Sequence, residues 1–263
     1  MTRIDTDADI AAGLAALLEA DPRLVAVAAE AGPLPLRRRA GGFSGLASIV
    51  VSQQLSTASA SAIWGRLVAA YDPFTPERLI RARATRLASL GLSAPKIRAL
   101  KEIAKAIASG QLDCESLPDL PADAAHAALC AVHGIGPWSA DIYLLFCLGH
   151  PDAWPAGDLA LQEAVRVVLG LKARPTVKEM AEIGEAWRPW RGAAAHLFWA
   201  YYRVTKRAGF NAAPPDAETK LSANGVKTTT KKAGRRTPLK KAVARKATTK
   251  RTTKTRERNG RRA

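Results

Sequence analysis

Between Leu129 and Leu161 the chain carries three features whose residue types could do chemistry: the glycine turn His133-Gly134-Ile135-Gly136-Pro137, the indole of Trp138 directly after it, and the carboxylate of Asp158 twenty residues further on. A carboxylate held near a reacting carbon can stabilise developing positive charge and orient or deprotonate a water. Asp158 follows Trp154-Pro155-Ala156-Gly157 and precedes an apolar helical pattern, so it also suits the N-cap of a helix, and the two roles are compatible. Gly134 and Gly136 flank one apolar residue, which lets the backbone turn where a Cβ would forbid it and approach another molecule closely. Pro137 fits the first position of a helix from about Trp138 to Leu148, and a helix start beside a glycine turn favours phosphate. A plain connector between two core helices would carry the same G-x-G.

The elements that must hold these groups read as helices throughout. Residues 1–40 give two, with Ile10, Leu14, Leu17 and Leu18 as one apolar stripe and Asp21-Pro22 opening the next segment. Phe43 to Tyr71 gives two more, joined near Ser56, and Pro76 to Gln111 is helical with one break at Gly91-Leu92-Ser93-Ala94-Pro95-Lys96, where Ser93 suits an N-cap. A loop from Gln111 to Pro121 leads to a helix from Ala122 to Ala131, so the glycine turn joins two short helices. Such a helix-hairpin-helix grips a DNA backbone without reading sequence. After Asp158 come an amphipathic helix through Leu169, a loop with Pro175, a short helix from Val177 to Trp187 and a last helix from Pro189 to about Ala208. With hardly any β-type alternation, the fold is expected to be all-α, two helical lobes with a cleft between them.

Three motifs together, GIGPWSAD, the PAGD aspartate and Trp187-Arg188-Pro189-Trp190-Arg191, resemble the helix-hairpin-helix DNA glycosylases, most closely the DNA-3-methyladenine glycosylase II group. The resemblance runs from about Leu14 to Phe210, and is to the short form without an N-terminal β domain. It implies Asp158 as the catalytic carboxylate that stabilises an oxocarbenium-like sugar as the base leaves. It implies Trp138 and Trp199 as pocket aromatics, with Tyr143, Trp154 and Trp190 as candidates for lining or support. The hairpin residues Gly134, Ile135 and Gly136 would hold the DNA backbone, and Gln53, Gln54 and Leu55 match the segment that fills the gap left by an extruded base, the wedge position falling on Gln54. Trp138 stands where strand-cleaving relatives place a lysine, and it cannot form a Schiff base, so an intact strand is expected. The four-cysteine iron–sulfur pattern after the aspartate is missing. No side-chain metal site is visible; a monovalent cation on the hairpin's backbone carbonyls is the one ion the resemblance allows. The expected substrate is double-stranded DNA bearing alkylated purines, cationic bases that an electron-rich pocket attracts. Two other readings stay open: a glycosylase of the same fold acting on deaminated, oxidised or mismatched bases, and a non-catalytic DNA-binding protein.

Composition bounds the rest. The 263 residues are 48% hydrophobic, enough for a substantial core. No apolar run reaches the roughly 18 residues of a membrane span, and no charged-then-apolar leader opens the chain, so a cytoplasmic, nucleoid-associated monomer is expected. Cys114, Cys130 and Cys147, odd in number and in apolar surroundings, are expected as reduced thiols. Of the net charge of +17, residues 217–263 contribute +15, from 17 Lys and Arg against Glu218 and Glu257. The glycosylase domain is therefore expected over 1–210, nearly neutral, followed by a disordered Lys/Arg/Thr/Ala-rich arm over 211–263 that binds DNA nonspecifically. The triplet Arg37-Arg38-Arg39 and Lys96 could touch phosphate, although solvated charge is the more common explanation of both.

Overall fold

The computed structural model describes residues 3–207, and these are all-α, with no strand among them. The basic segment 211–263 lies outside the described residues. In chain order the helices are α1 (Asp7–Ala20), α2 (Val25–Ala31), α3 (Gly42–Ser52), α4 (Thr57–Ala70), α5 (Pro76–Arg81), α6 (Ala84–Ser89), α7 (Ala94–Ala108), α8 (Ala122–Cys130), α9 (Pro137–Phe146), α10 (Leu159–Val168), α11 (Val177–Gly184) and α12 (Arg191–Arg207).

The starts of most helices were written into the sequence. Thr6 with Asp9 and Thr176 with Glu179 form capping boxes at α1 and α11, Ser56 and Thr75 cap α4 and α5, and Pro76 and Pro137 occupy first turns. Ser93 is the N-cap of α7, as read from the sequence, and holds the extended backbone of that position without a side-chain capping bond. The segment from Pro76 divides twice rather than once, because Ala82 and Arg83 are extended and separate α5 from α6. The α11 helix stops at Gly184 and continues as a 3-10 turn over Glu185–Trp187, and the last helix begins at Arg191 instead of Pro189.

Packing follows two sets that share a continuous core. In one, α7 packs on α3, α5 and α6, α3 on α4 and α9, and α8 on α9. In the other, α12 packs on α1, α2 and α10, so the N-terminal helices close against the C-terminal one. The apolar stripe of α7, Ile97, Leu100, Ile103 and Ala104, is buried at helical spacing; full burial of a residue such as Leu100 contributes about 2 kcal/mol. Ala193, Ala194 and Ala195 have no exposed surface, which lets neighbouring helices approach α12 closely. Two arginines fasten the start of α12 to the loop after α9. Arg191 donates to both carboxylate oxygens of Asp152, at 2.7 and 2.9 Å, and Arg188 to Asp152 at 2.7 Å and to Asp123 at 2.9 Å. Arg37-Arg38-Arg39 is used locally as well: the Arg38 guanidinium and the Arg39 backbone N–H both donate to the carbonyl of Phe146, and Arg38 pairs with Asp5.

Candidate active site

Asp158 is the N-cap of α10, its Oδ1 accepting the backbone N–H of Ala160 at 3.0 Å and of Leu161 at 3.1 Å. The same carboxylate receives two indoles: Trp138 Nε1 donates to Oδ2 at 3.0 Å from the first turn of α9, and Trp199 Nε1 donates to Oδ1 at 3.1 Å from the middle of α12. Three parts of the chain thus converge on one acid, and four N–H donors fix its plane. Its Oδ1 is crowded by three of these donors, whereas Oδ2 carries one, which leaves Oδ2 as the oxygen with acceptor capacity to spare.

The carboxylate opens on a cleft of about 510 Å³, lined by Gln53 and Gln54, by Gly136 to Ser139, and by Gly157 to Ala160. The hairpin forms one wall. Gly134 has φ +99°, and a Cβ there would lie 2.5 Å from the Cβ of Ala99 on α7, so both backbone and packing require glycine. A Cβ on Gly136 would meet nothing within 4 Å; that glycine is exposed at the N-cap of α9, with no side chain capping the helix. The free N–H groups of the first α9 turn stand open to an anion.

The Ser52–Leu55 turn forms the facing wall. Gln53 has φ −53° and ψ 130°, Gln54 has φ +56°, and Leu55 N–H donates to Ser52 O at 3.3 Å, the pattern of a type II turn. Gln54 occupies the place that glycine normally takes, at a cost on the order of 1 kcal/mol. The turn is held against the hairpin by Gln53, whose Nε2 donates to the hydroxyl of buried Ser139 at 2.7 Å.

The structure brings Asp158, Trp138, Gln53, Gln54 and Gly136 to one cleft and places the other residues expected there elsewhere. Trp199 reaches Asp158 by its N–H, while its ring stacks on Phe146 at 5.3 Å and lies outside the cleft lining. Tyr143 is fully buried, its hydroxyl accepting the Gly42 N–H at 2.9 Å; burial pushes the phenol up, and it lines no part of the cleft. Ile135 is buried at 4% exposure and its N–H donates to Val132 O at 3.1 Å, so it anchors the hairpin in the core. Leu55 is exposed but faces a different groove, with Arg39 and Trp64. Trp154 packs on Trp187 and donates to the Met180 carbonyl, a core role. His196 bonds the Gly192 carbonyl at 2.8 Å, and burial pulls it down to about 4, so it is neutral and structural. Sequence reasoning missed Leu159, which lines the cleft next to Asp158 and is 65% exposed, and the exposed leucine directly after a capping aspartate was its only signal.

An acid held by two tryptophans, a glycine hairpin and a strained turn surround one cleft, and the hairpin joins α8 to α9 as a helix-hairpin-helix. The model of the HhH-GPD superfamily of base excision DNA repair proteins matches residues 47–189, more than half of the chain, and the chain belongs to that family. It is 30% identical over 169 residues to a DNA-3-methyladenine glycosylase of Bacillus subtilis, covering 60% of this chain and 56% of the relative. It is 34% identical over 206 residues to a probable bifunctional transcriptional activator/DNA repair enzyme AlkA of Mycobacterium tuberculosis, covering 74% of this chain and 40% of the relative. The chain therefore spans about half the length of these curated relatives. Among solved structures, the Schizosaccharomyces pombe 3-methyladenine DNA glycosylase Mag1, in complex with abasic DNA, superposes with a TM-score of 0.65 at 28% identity, over 74% of this chain and 96% of that one.

Proposed function

We propose that this chain is a monofunctional DNA glycosylase that extrudes an alkylated purine from duplex DNA and hydrolyses its N-glycosidic bond, the first step of base excision repair. The observation that carries the reading is the Asp158 carboxylate, which lines the cleft and is fixed by the indole N–H groups of Trp138 and Trp199. The names of the relatives support the substrate class. Purines methylated at N3 or N7 are cationic and leave readily, so the reaction needs a stabilised oxocarbenium-like sugar more than a proton donor. Asp158 supplies the charge through Oδ2, which also accepts a proton from the attacking water. Trp138 offers its ring to the cationic base, a cation–π attraction on the order of 1–2 kcal/mol once desolvated. Trp199 orients the acid and does not stack on the base.

Trp138 lacks an amine, so no Schiff base forms and the strand stays intact. The hairpin and the α9 start hold the backbone, and Gln54 enters the duplex as the base leaves. A monovalent cation would be held by the hairpin's backbone carbonyls. It would bridge to phosphate only. No iron–sulfur cluster belongs to this reading. The basic segment 211–263 adds nonspecific DNA affinity, and the protein acts as a cytoplasmic, nucleoid-associated monomer. Single-turnover release of free bases from methylated duplex DNA tests the proposal: free 3-methyladenine or 7-methylguanine, with nicks appearing only after alkali, supports it, and tight binding without base release contradicts it.

A further inference from the structure

Lys96 stands third in α7, a helix with no acidic residue in its first turn and no side chain capping its start. A cation there sits at the end of the α7 dipole that favours anions. Its ammonium instead crosses to the end of α3 and donates to the carbonyls of Val51 and Gln53, both at 2.8 Å. The α3 helix stops at Ser52, so these oxygens lie among the acceptors a helix end leaves unpaired, and a cation suits that end. The two carbonyls bracket the first half of the Ser52–Leu55 turn, whose next residue, Gln54, is left-handed. Gln53 is thus gripped twice, by Lys96 at its carbonyl and by Ser139 at its amide, and Gln54 is the residue delivered to the cleft.

We propose that Lys96 is a positioning residue for base extrusion: it locks the Gln53–Gln54 turn in the conformation that enters the duplex. The proposal rests on the glycosylase reading above. The protein contains its own control. Lys101, one turn and a half along the same helix, does the same for the end of α5, donating to Ile80 O at 3.1 Å and Ala82 O at 2.6 Å. No α5 residue lines the cleft, so Lys101 holds a helix end without presenting a wedge.

The test compares Lys96→Met and Lys101→Met in the full chain, under single-turnover conditions at saturating enzyme. One duplex carries a single 7-methylguanine opposite cytosine; a second carries it opposite a tetrahydrofuran abasic analogue, where no base pair has to be broken. Lys96→Met is expected to release base roughly tenfold more slowly from the paired lesion and within about twofold of wild type from the unpaired one, since only the first needs the wedge to hold the duplex open. Lys101→Met is expected to lose thermal stability without that difference, and Lys96→Arg to keep most of the rate on the paired lesion. If Lys96→Met melts below the assay temperature, Lys96→Gln, which retains an N–H donor, replaces it. Equal losses on both duplexes, or no loss on either, would overturn the positioning role. A wild-type protein that releases no base from either duplex would refute the glycosylase reading itself.

Discussion

Trp138, Asp158 and Trp199 lie far apart in the chain yet share one carboxylate, and the two indoles differ in what they can do there. Replacing either by phenylalanine keeps an aromatic ring and removes the N–H. Trp199→Phe is expected to lower the single-turnover rate by about tenfold while leaving DNA affinity unchanged, because its ring is already committed to Phe146. Trp138→Phe is expected to lower the rate and also weaken discrimination for cationic over neutral bases, which competition between 7-methylguanine and hypoxanthine duplexes would measure. Asp158 was legible from the sequence as a helix cap, since an aspartate before an apolar helical pattern is a local signal, whereas its role as the acid came from the resemblance alone. Tyr143 was not, for a physical reason: from Ser139 to Phe146 every residue of α9 but Asp141 is buried, so helical spacing gives no clue to which face looks into the cleft.

Among the elements, helix starts were readable where Thr, Ser, Asp or Pro marks them, and helix ends were readable only where glycine or proline does. The break at Ala82-Arg83 carries neither residue; it is stabilised by Lys101 from a helix that follows later in the chain, and no local signal announces it. The left-handed Gln54 is hidden in the same way, because a type II turn usually advertises itself by glycine. The hairpin is the opposite case, since its glycine is demanded by its own backbone and by Ala99. Gly134→Ala is expected to lower stability by roughly 3 kcal/mol, read from denaturant unfolding, with DNA binding lost in parallel. Unchanged stability would mean that α7 does not press on the hairpin as closely as the 2.5 Å contact requires.

Across the described residues, the cleft lies between the Ser52–Leu55 turn, the hairpin before α9 and the start of α10, which packs on α12, within the all-α fold the sequence anticipated. One feature of that packing could not be read from the chain. Asp141, on the same helix as Trp138, borders a cavity of about 460 Å³ with His126, Asp152 and Arg191. Burial pushes its carboxyl up to about 8, opposed by Arg191 and reinforced by Asp123, and His126 approaches to 3.7 Å. The folded protein therefore holds a proton there that the unfolded chain releases near 3.8, so this group's contribution to stability declines as pH rises from about 4 to about 8. Asp141→Asn is expected to melt above wild type at pH 8, with the difference shrinking at pH 5; parallel curves at both pH values would contradict the assignment. The activity itself is tested most directly by comparing wild type with Asp158→Asn in single-turnover base release from methylated duplex DNA. Asparagine keeps the helix-capping oxygen, removes the charge and replaces the acceptor of the Trp138 N–H by an amide N–H, so the variant should still fold and bind DNA. Its base release is expected to fall by at least about a hundredfold. Base release unchanged from wild type would show that the carboxylate lining this cleft is a helix cap and nothing more.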